Sequence, residues 1–424
     1  MSRFLYSLLW YLLLPLVLLR LWRRSRSAPE YGRNIGQRFG KLAPQQGRPL
    51  WIHAVSVGET VAIAPLVELL LSRHPEIPLL LTHMTATGAA RAEALFGDRV
   101  MHSFCPYDLP HAMQRFIRRV KPRGLVVVET ELWPNMLAAC AAAQVPVLLA
   151  NARLSARSAR GYARFGGLTR NMLQQLAQVA AQHETDGQRL VALGLPDAAL
   201  SVIGSIKFDL AIPQGLMEQA DALKHQWGGQ RPVLVAGSTH EGEEQILLSL
   251  YQQLQQHYPA LLLILVPRHP ERFDPVAQQI NTAGLTCSRR SLQQPAMADT
   301  QVYLADTMGE LMLFYQAADM VFVGGSLVAR GGHNPLEPAA LGKPVLMGPH
   351  CFNFQSIVDT LAGAGGLVQV EDQTALHTQV ADWLSAPEQA QQVGQAAEHY
   401  VAANRGALER LYALVEKHCL RDQS

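Results

Sequence analysis

A chain of 424 residues with 49% hydrophobic and 17% charged side chains is too long for a single core and too apolar to be disordered, so two folded domains are expected. Its formal net charge of +2 hides an asymmetry: residues 1–48 hold nine Lys or Arg against one acid, Glu30, and the remainder is net acidic. A nucleic-acid protein would spread its basic groups over a folded face, and this chain gathers them beside an apolar segment, so no nucleic-acid partner is expected.

That segment, Phe4–Leu19, carries no charge and is followed by Arg20, Arg23, Arg24 and Arg26. It falls short of the roughly 20 apolar residues that cross a hydrocarbon core. With Leu21 and Trp22 added and Arg20 snorkelling, a tilted or shallow span becomes feasible. The weak match to a small-residue cleavage site argues against secretion, although a cleaved or simply buried terminal helix is the alternative. The arginines following the apolar run are expected on the cytoplasmic side, against an anionic membrane surface. The five cysteines, Cys105, Cys140, Cys287, Cys351 and Cys419, are far apart and show no ligand spacing, as reduced cytosolic thiols do.

Past the anchor, apolar runs alternate with helical periodicity. Strands are expected at Leu50–Val55, Ile77–Thr82, Val100–Phe104, Gly124–Val128 and Val145–Ala150. The stretches between them, 61–72, 89–96, 109–120 and 132–143, read as helices. A second series places strands at Pro232–Ala236, Leu261–Val266, Val302–Leu304, Met320–Val323, Pro344–Met347 and Gly366–Val370. Its helices are expected to begin near Glu241, Pro270, Gly309, Leu336 and Phe354. Short strands alternating with helices imply parallel sheets covered on both faces, hence an α/β chain of two Rossmann-like domains facing across a cleft. The divisions are residues 1–22 as an anchor helix, 23–210 as the first domain and 211–424 as the second. The linker falls near Phe208–Gly215, and the long helical region Pro387–Glu416 is able to return to the first domain.

Polar residues recur at the strand ends. Glu59, in the SVGE turn at 56–59, is placed to act as a general base, yet an acid in a first helical turn with Ser56 three residues before it also reads as a cap. Glu129 and Glu131 end the run GLVVVETELWP, where an acid is costly unless it reaches a cleft or a partner. In the second half, Gly237 opens a turn in which Ser238, Thr239 and His240 precede Glu241 and Glu243, a setting in which backbone donors can hold phosphate. Pro267, Arg268 and His269 follow the next strand, and the planar fork of Arg268 suits phosphate or carboxylate. Met308, Gly309 and Glu310 begin one helix. Asn334 and Glu337, in GGHNPLEP at 331–338, begin another, with Glu337 able to accept ribose hydroxyls. There is no HExxH, CxxC, Walker A or GxGxxG pattern, so neither a metal nor a dissociable cofactor is expected.

With SVGE at 56–59, ETELWPN at 129–135, NARLS at 151–155, GSIKFD at 204–209, AGSTHEGEE at 236–244, PRHPER at 267–272, DTMGEL at 306–311 and GGHNPLEP at 331–338, the chain resembles the 3-deoxy-D-manno-octulosonic acid (Kdo) transferases of Gram-negative lipopolysaccharide assembly, the glycosyltransferase family 30 type. The blocks run in order along nearly the whole chain after the anchor. The resemblance implies a GT-B fold and inverting transfer of Kdo from CMP-Kdo to the lipid A precursor (lipid IVA) at the cytoplasmic face of the inner membrane. It implies Glu59 as the base, with Glu129 and Lys207 assisting the transition state. Arg268, Met308, Gly309, Glu310, Asn334 and Glu337 would line the CMP pocket, with Pro267 and Leu336 contributing backbone. No protein partner is implied. A related transferase using another nucleotide sugar, such as UDP-N-acetylglucosamine, and a non-catalytic nucleotide-binding scaffold are the competing readings.

Overall fold

Two runs of strands, separated near residue 209, each build a seven-stranded parallel sheet. The computed structural model describes residues 2–32, 34–44 and 47–421. The chain divides into two units, Met1–Asp209 with Arg405–Ser424, and Leu210–Asn404.

In the first unit the strands are β1 (Leu50–His53), β2 (Leu79–His83), β3 (Met101–Phe104), β4 (Gly124–Val128), β5 (Val147–Ala152), β6 (Gln178–Ala181) and β7 (Leu200–Val202), in spatial order β3-β2-β1-β4-β5-β6-β7. Every residue of β1, β2 and β4 is buried, as befits a parallel sheet covered on both faces. Alternation of side chains sorts them into two cores. Leu50, Ile52, Val126 and Val128 face one way, Trp51, Leu125 and Val127 the other. The order reverses between β1 and β4, the topological switch point where α/β sheets open a crevice beyond their carboxyl ends.

The single helix expected over Pro387–Glu416 is two. Gly406, at φ 91°, breaks it after Ala403, and the helix Ala407–Val415 packs Leu411 and Val415 into the first unit's core. From Arg405 onward the chain therefore belongs to the first unit. Asp209 accepts from the amides of Gly406 at 2.6 Å and Leu408 at 2.7 Å, tying the start of this helix to the end of GSIKFD.

The amino-terminal helix runs from Arg3 to Ser27, past the expected end at residue 22 and through the arginines, because no breaker lies between Trp22 and Pro29. One face packs on the first unit: Trp10, Leu14, Val17 and Leu18 lie against Tyr107, Leu109 and Ala112. Ser7 Oγ donates to Asn135 Oδ1 at 3.1 Å, and Tyr11 Oη lies 2.6 Å from His111 Nδ1. The opposite face leaves Phe4, Leu8, Leu12, Leu16 and Trp22 exposed. By length and composition the helix is apolar enough to cross a membrane.

The second unit holds β8 (Val233–Thr239), β9 (Leu262–Pro267), β10 (Cys287–Arg289), β11 (Val302–Leu304), β12 (Met320–Val323), β13 (Val345–Met347) and β14 (Leu367–Gln369), in spatial order β10-β11-β9-β8-β12-β13-β14. Its switch point lies between β8 and β12. Gly237, expected to open a turn, is inside β8, which continues through Thr239. A Cβ at Gly237 would come within 2.2 Å of the Tyr315 hydroxyl, so this glycine makes room for a buried ring. β6, β7 and β10 were not anticipated from the sequence.

Candidate functional site

At the first switch point, β1 runs into Ala54–Ser56 and the helix Val57–Arg73. Ser56 is its N-cap and accepts from the Glu59 amide at 3.4 Å. The Glu59 carboxylate turns back: Ser56 Oγ donates to Oε1 at 2.7 Å and the Val55 amide to Oε2 at 2.8 Å. The cap anticipated from the sequence therefore forms, and it fixes the carboxylate in a buried position, 8% exposed. Burial pushes its pKa up to about 7 against the two hydrogen bonds, and the charges of Glu131 and Glu129 add to the rise. A carboxylate poised near neutrality can take a proton from a hydroxyl and release it again.

Beyond β4, Glu129 adopts the left-handed conformation, φ 59°, its amide donating to Ala150 O at 2.8 Å. A non-glycine residue held there stores strain that the surrounding structure must impose. Glu131 accepts from Trp133 Nε1 at 3.0 Å, and Thr130 Oγ1 donates to Arg153 O. The Trp133 ring stands edge-on to His53, 4.9 Å between centroids. His53 is wholly buried and held neutral, its pKa driven down to about 3 by burial and then by His83. At the end of β5, Asn151 is also left-handed, φ 55°, and its buried amide nitrogen and oxygen have no protein partner. Lys207 sits in the turn Ile206–Phe208, which packs against the helix that carries Glu59. The structure thus gathers Glu59, Glu129 and Glu131 and holds the Lys207 turn beside the helix that carries Glu59.

At the second switch point a buried carboxylate gathers backbone amides from two loops, the His240 amide expected to hold phosphate among them. Glu243, fully buried, accepts from the amides of Gly325 at 2.7 Å, Ser326 and Leu327 at 3.0 Å each, and His240 at 3.0 Å. Thr239 Oγ1 donates to Glu244 at 3.2 Å. Of the donors expected at 237–241, the His240 amide and the Thr239 hydroxyl are thus taken by the chain's own carboxylates. His240 and His333 bring their Nε2 atoms to 2.8 Å with rings 3° from parallel, and His269 stands edge-on to His240 at 5.3 Å. Gly325, at φ 70°, lies against both rings of the pair; a Cβ there would sit 3.1 Å from His333 and 3.5 Å from His240. Arg268, after β9, lies close enough for its charge to act on His333 and on Glu337. Asn334 Nδ2 donates to Glu337 Oε1 at 3.2 Å, and Asn334 Oδ1 accepts from the Leu336 amide at 3.1 Å, opening the short helix Leu336–Ala340. Burial raises the Glu337 pKa.

The family model for 3-deoxy-D-manno-octulosonic-acid transferase (kdotransferase) matches residues 33–210, and that for glycosyl transferases group 1 matches 246–400. The chain is 41% identical to the 3-deoxy-D-manno-octulosonic acid transferase of Haemophilus influenzae, over 100% of both chains. The chain belongs to the Kdo transferase family. The enzyme of the same name from Bordetella pertussis is 40% identical over 98% of this chain and 99% of its own. In fold alone, the chain is similar to the UDP-GlcNAc 2-epimerase of Neisseria meningitidis, with a TM-score of 0.56 at 15% identity over 88% of this chain and 100% of the other. This Kdo transferase is a glycosyltransferase with two parallel-sheet α/β domains of GT-B-like fold.

Among the residues expected to line the donor pocket of this Kdo transferase, Arg268, Asn334 and Glu337 come together, with Pro267 closing β9 and Leu336 buried beneath. Met308 is exposed and Gly309 is left-handed at φ 88°, just before the helix Leu311–Ala317. The Glu310 carboxylate is paired: Arg290 donates to it at 2.7 and 3.2 Å, Thr307 donates to it as well, and all three line a hollow with Trp227 and Tyr303. Its pKa is lowered, first by Arg290. Sequence reasoning missed the pairing of His240 with His333, residues 93 positions apart, and the unpartnered amide of Asn151. The NARLS block was the one signal for the latter.

Proposed function

We propose that this Kdo transferase moves Kdo from CMP-Kdo to a hydroxyl of the lipid A precursor in one inverting displacement, at the cytoplasmic face of the inner membrane. The observation that carries the reading is the buried Glu59 carboxylate at the first switch point, held by Ser56 and Val55 with its pKa near 7. A single displacement with inversion needs one base on the face opposite the leaving group, and Glu59 takes the acceptor proton. Glu129, strained into place, and Lys207 steady the charge that develops as the glycosidic bond breaks. Arg268 pairs with the CMP phosphate, Glu337 and Asn334 take the ribose, and the 308–310 turn contributes backbone. The reaction draws on these side chains and takes no cofactor or metal. Glu310 acts in this reading through Arg290, keeping the turn in shape.

The amino-terminal helix supports the placement at a membrane. Its inner face is fastened to the first unit from Ser7 to Leu18, so this stretch lies along the domain with its apolar outer face toward lipid and the following arginines at the headgroups. Incubation with CMP-Kdo and tetra-acylated lipid A precursor, followed by mass spectrometry of the lipid, tests the function. An added Kdo mass is expected. Transfer from a UDP-sugar instead, or tight CMP binding without any product, would replace this reading.

A further inference from the structure

The cluster His240–His333–His269 lies at the switch point of the second sheet and has no part in the roles assigned above. Its geometry constrains its protons. With 2.8 Å between the two Nε2 atoms, one N–H lies between His240 and His333 when both rings are neutral. A second proton therefore has to sit on an Nδ1, and the resulting imidazolium keeps donating to its neutral partner. The surroundings decide whether that proton is held. From the loop after β9, Arg268, His269 and Arg272 face His240; from the loop after β12, Arg330 does so with His333. Arg272 is paired with Glu244 at 3.2 Å and Glu241 at 3.7 Å, whereas Arg268 and Arg330 have no carboxylate within salt-bridge distance among the described residues. Glu243 is saturated by four amides, and Glu337, which accepts from Asn334 Nδ2 at 3.2 Å, interacts with Arg268 through charge without pairing with it.

We propose that His240 and His333 form a proton-accepting anion site that takes one proton from solvent when an anionic group of the sugar nucleotide settles against Arg268. The inference rests on the donor reading given above and adds to it a pair of residues and a pH dependence. Without an anion, burial and the neighbouring positive charges hold the pair neutral: the His333 pKa falls to about 4, first through burial, then His240, Arg268 and His269. A phosphate or carboxylate offsets the arginine field, and the imidazolium becomes the favoured form. Two groups of a CMP-sugar acid have this chemistry, the phosphate and the sugar carboxylate. Either gives the same consequence: donor affinity weakens as pH rises, by up to about tenfold per pH unit for one linked proton.

The test is calorimetry on the full chain in detergent at pH 7.5, in two buffers of different ionisation enthalpy, with CMP and then with free Kdo added to the CMP complex. Uptake approaching one proton per site is expected for the wild type, in the CMP step if the pair reads phosphate and in the Kdo step if it reads carboxylate. His333→Gln and His240→Gln, with wild-type melting temperatures as the check on folding, should each lose the uptake and bind more weakly the ligand, CMP or Kdo, whose step shows it. No uptake in either step, or uptake unchanged in both variants, overturns the proposal while leaving the donor reading intact. Failure of the wild type to bind CMP at all sinks the donor reading, and this inference with it.

Discussion

Ser56 Oγ lies 2.7 Å from Glu59 Oε1 and also accepts the Glu59 amide at 3.4 Å, so one hydroxyl both starts a helix and holds the proposed base. The cap and the catalytic reading of this glutamate are the same arrangement. A capping carboxylate is ordinarily solvated; this one is buried between Val55, Ser56 and the acids at 129 and 131, which makes it expensive to ionise.

That expense has a sign. Glu59 binds its proton more tightly in the folded state than in the unfolded chain, where an ordinary carboxyl titrates near 4.3. Its ionisation therefore costs nothing below about pH 4, costs progressively more up to about 7, and is a constant penalty above that, on the order of 3–4 kcal/mol. Glu59→Gln keeps an oxygen for the Val55 amide and carries no charge. Its melting temperature should exceed that of the wild type at pH 8 and approach it at pH 4.5; the reverse ordering would show that the carboxylate is a stabilising cap.

The amino-terminal helix should separate two properties by face. Leu12→Lys with Leu16→Lys, both outward, should abolish flotation with anionic liposomes at high salt and leave the melting temperature unchanged. Trp10→Ala, inward against Tyr107, should cost about 1–3 kcal/mol of stability and leave flotation intact. A helix that crosses the bilayer clear of the domain would show no stability loss from Trp10→Ala.

Glu243 organises the donor loop by accepting four amides. Its replacement by Ala leaves those donors without partners, at about 1–3 kcal/mol for each that water cannot reach. Glu243→Gln, closer in shape, should still turn one amide group toward a donor and weaken CMP binding about tenfold or more, with binding of the lipid precursor unaltered. Calorimetry with both ligands decides; equal CMP affinity would mean that the 325–327 loop is held by other means.

Asp209 caps the helix that returns to the first unit. Asp209→Ala should lower stability by about 1–2 kcal/mol and make the chain after Asn404 sensitive to limited proteolysis, as seen by intact-mass analysis. A variant as protease-resistant as the wild type would place the anchoring of this helix in Arg410, which donates to Ile203 O at 2.8 and 3.0 Å.

Much of this is legible in the amino-acid sequence. Gly124–Val128, Val302–Leu304 and Met320–Val323 were read to the residue, because buried parallel strands are continuous apolar runs. β6, β7 and β10 were not: QVAA, LSV and CSR are short and mixed, and their pairing comes from the sheet edge they join. The two rims were marked by polar residues following the strands, since a polar group at that position needs a ligand or a partner. What the sequence could not distinguish was which of the two it had. Glu243 and Glu310 look alike as acids at helix starts, yet one is consumed by amides and the other by Arg290. The His240–His333 contact needs β8 and β12 to be neighbours, and nothing local announces it.

The central claim, that Glu59 is the general base, is tested most directly by the pH dependence of kcat for Kdo transfer at saturating CMP-Kdo, where the donor-binding histidines no longer influence the rate. The wild-type rate should rise with pH through about 7 as Glu59 ionises. Glu59→Gln should lose about 10²–10⁴-fold and, in what activity remains, lose that rise as well. A Glu59→Gln enzyme that turns over within a few-fold of the wild type, or that keeps the same rise near pH 7, would contradict the assignment.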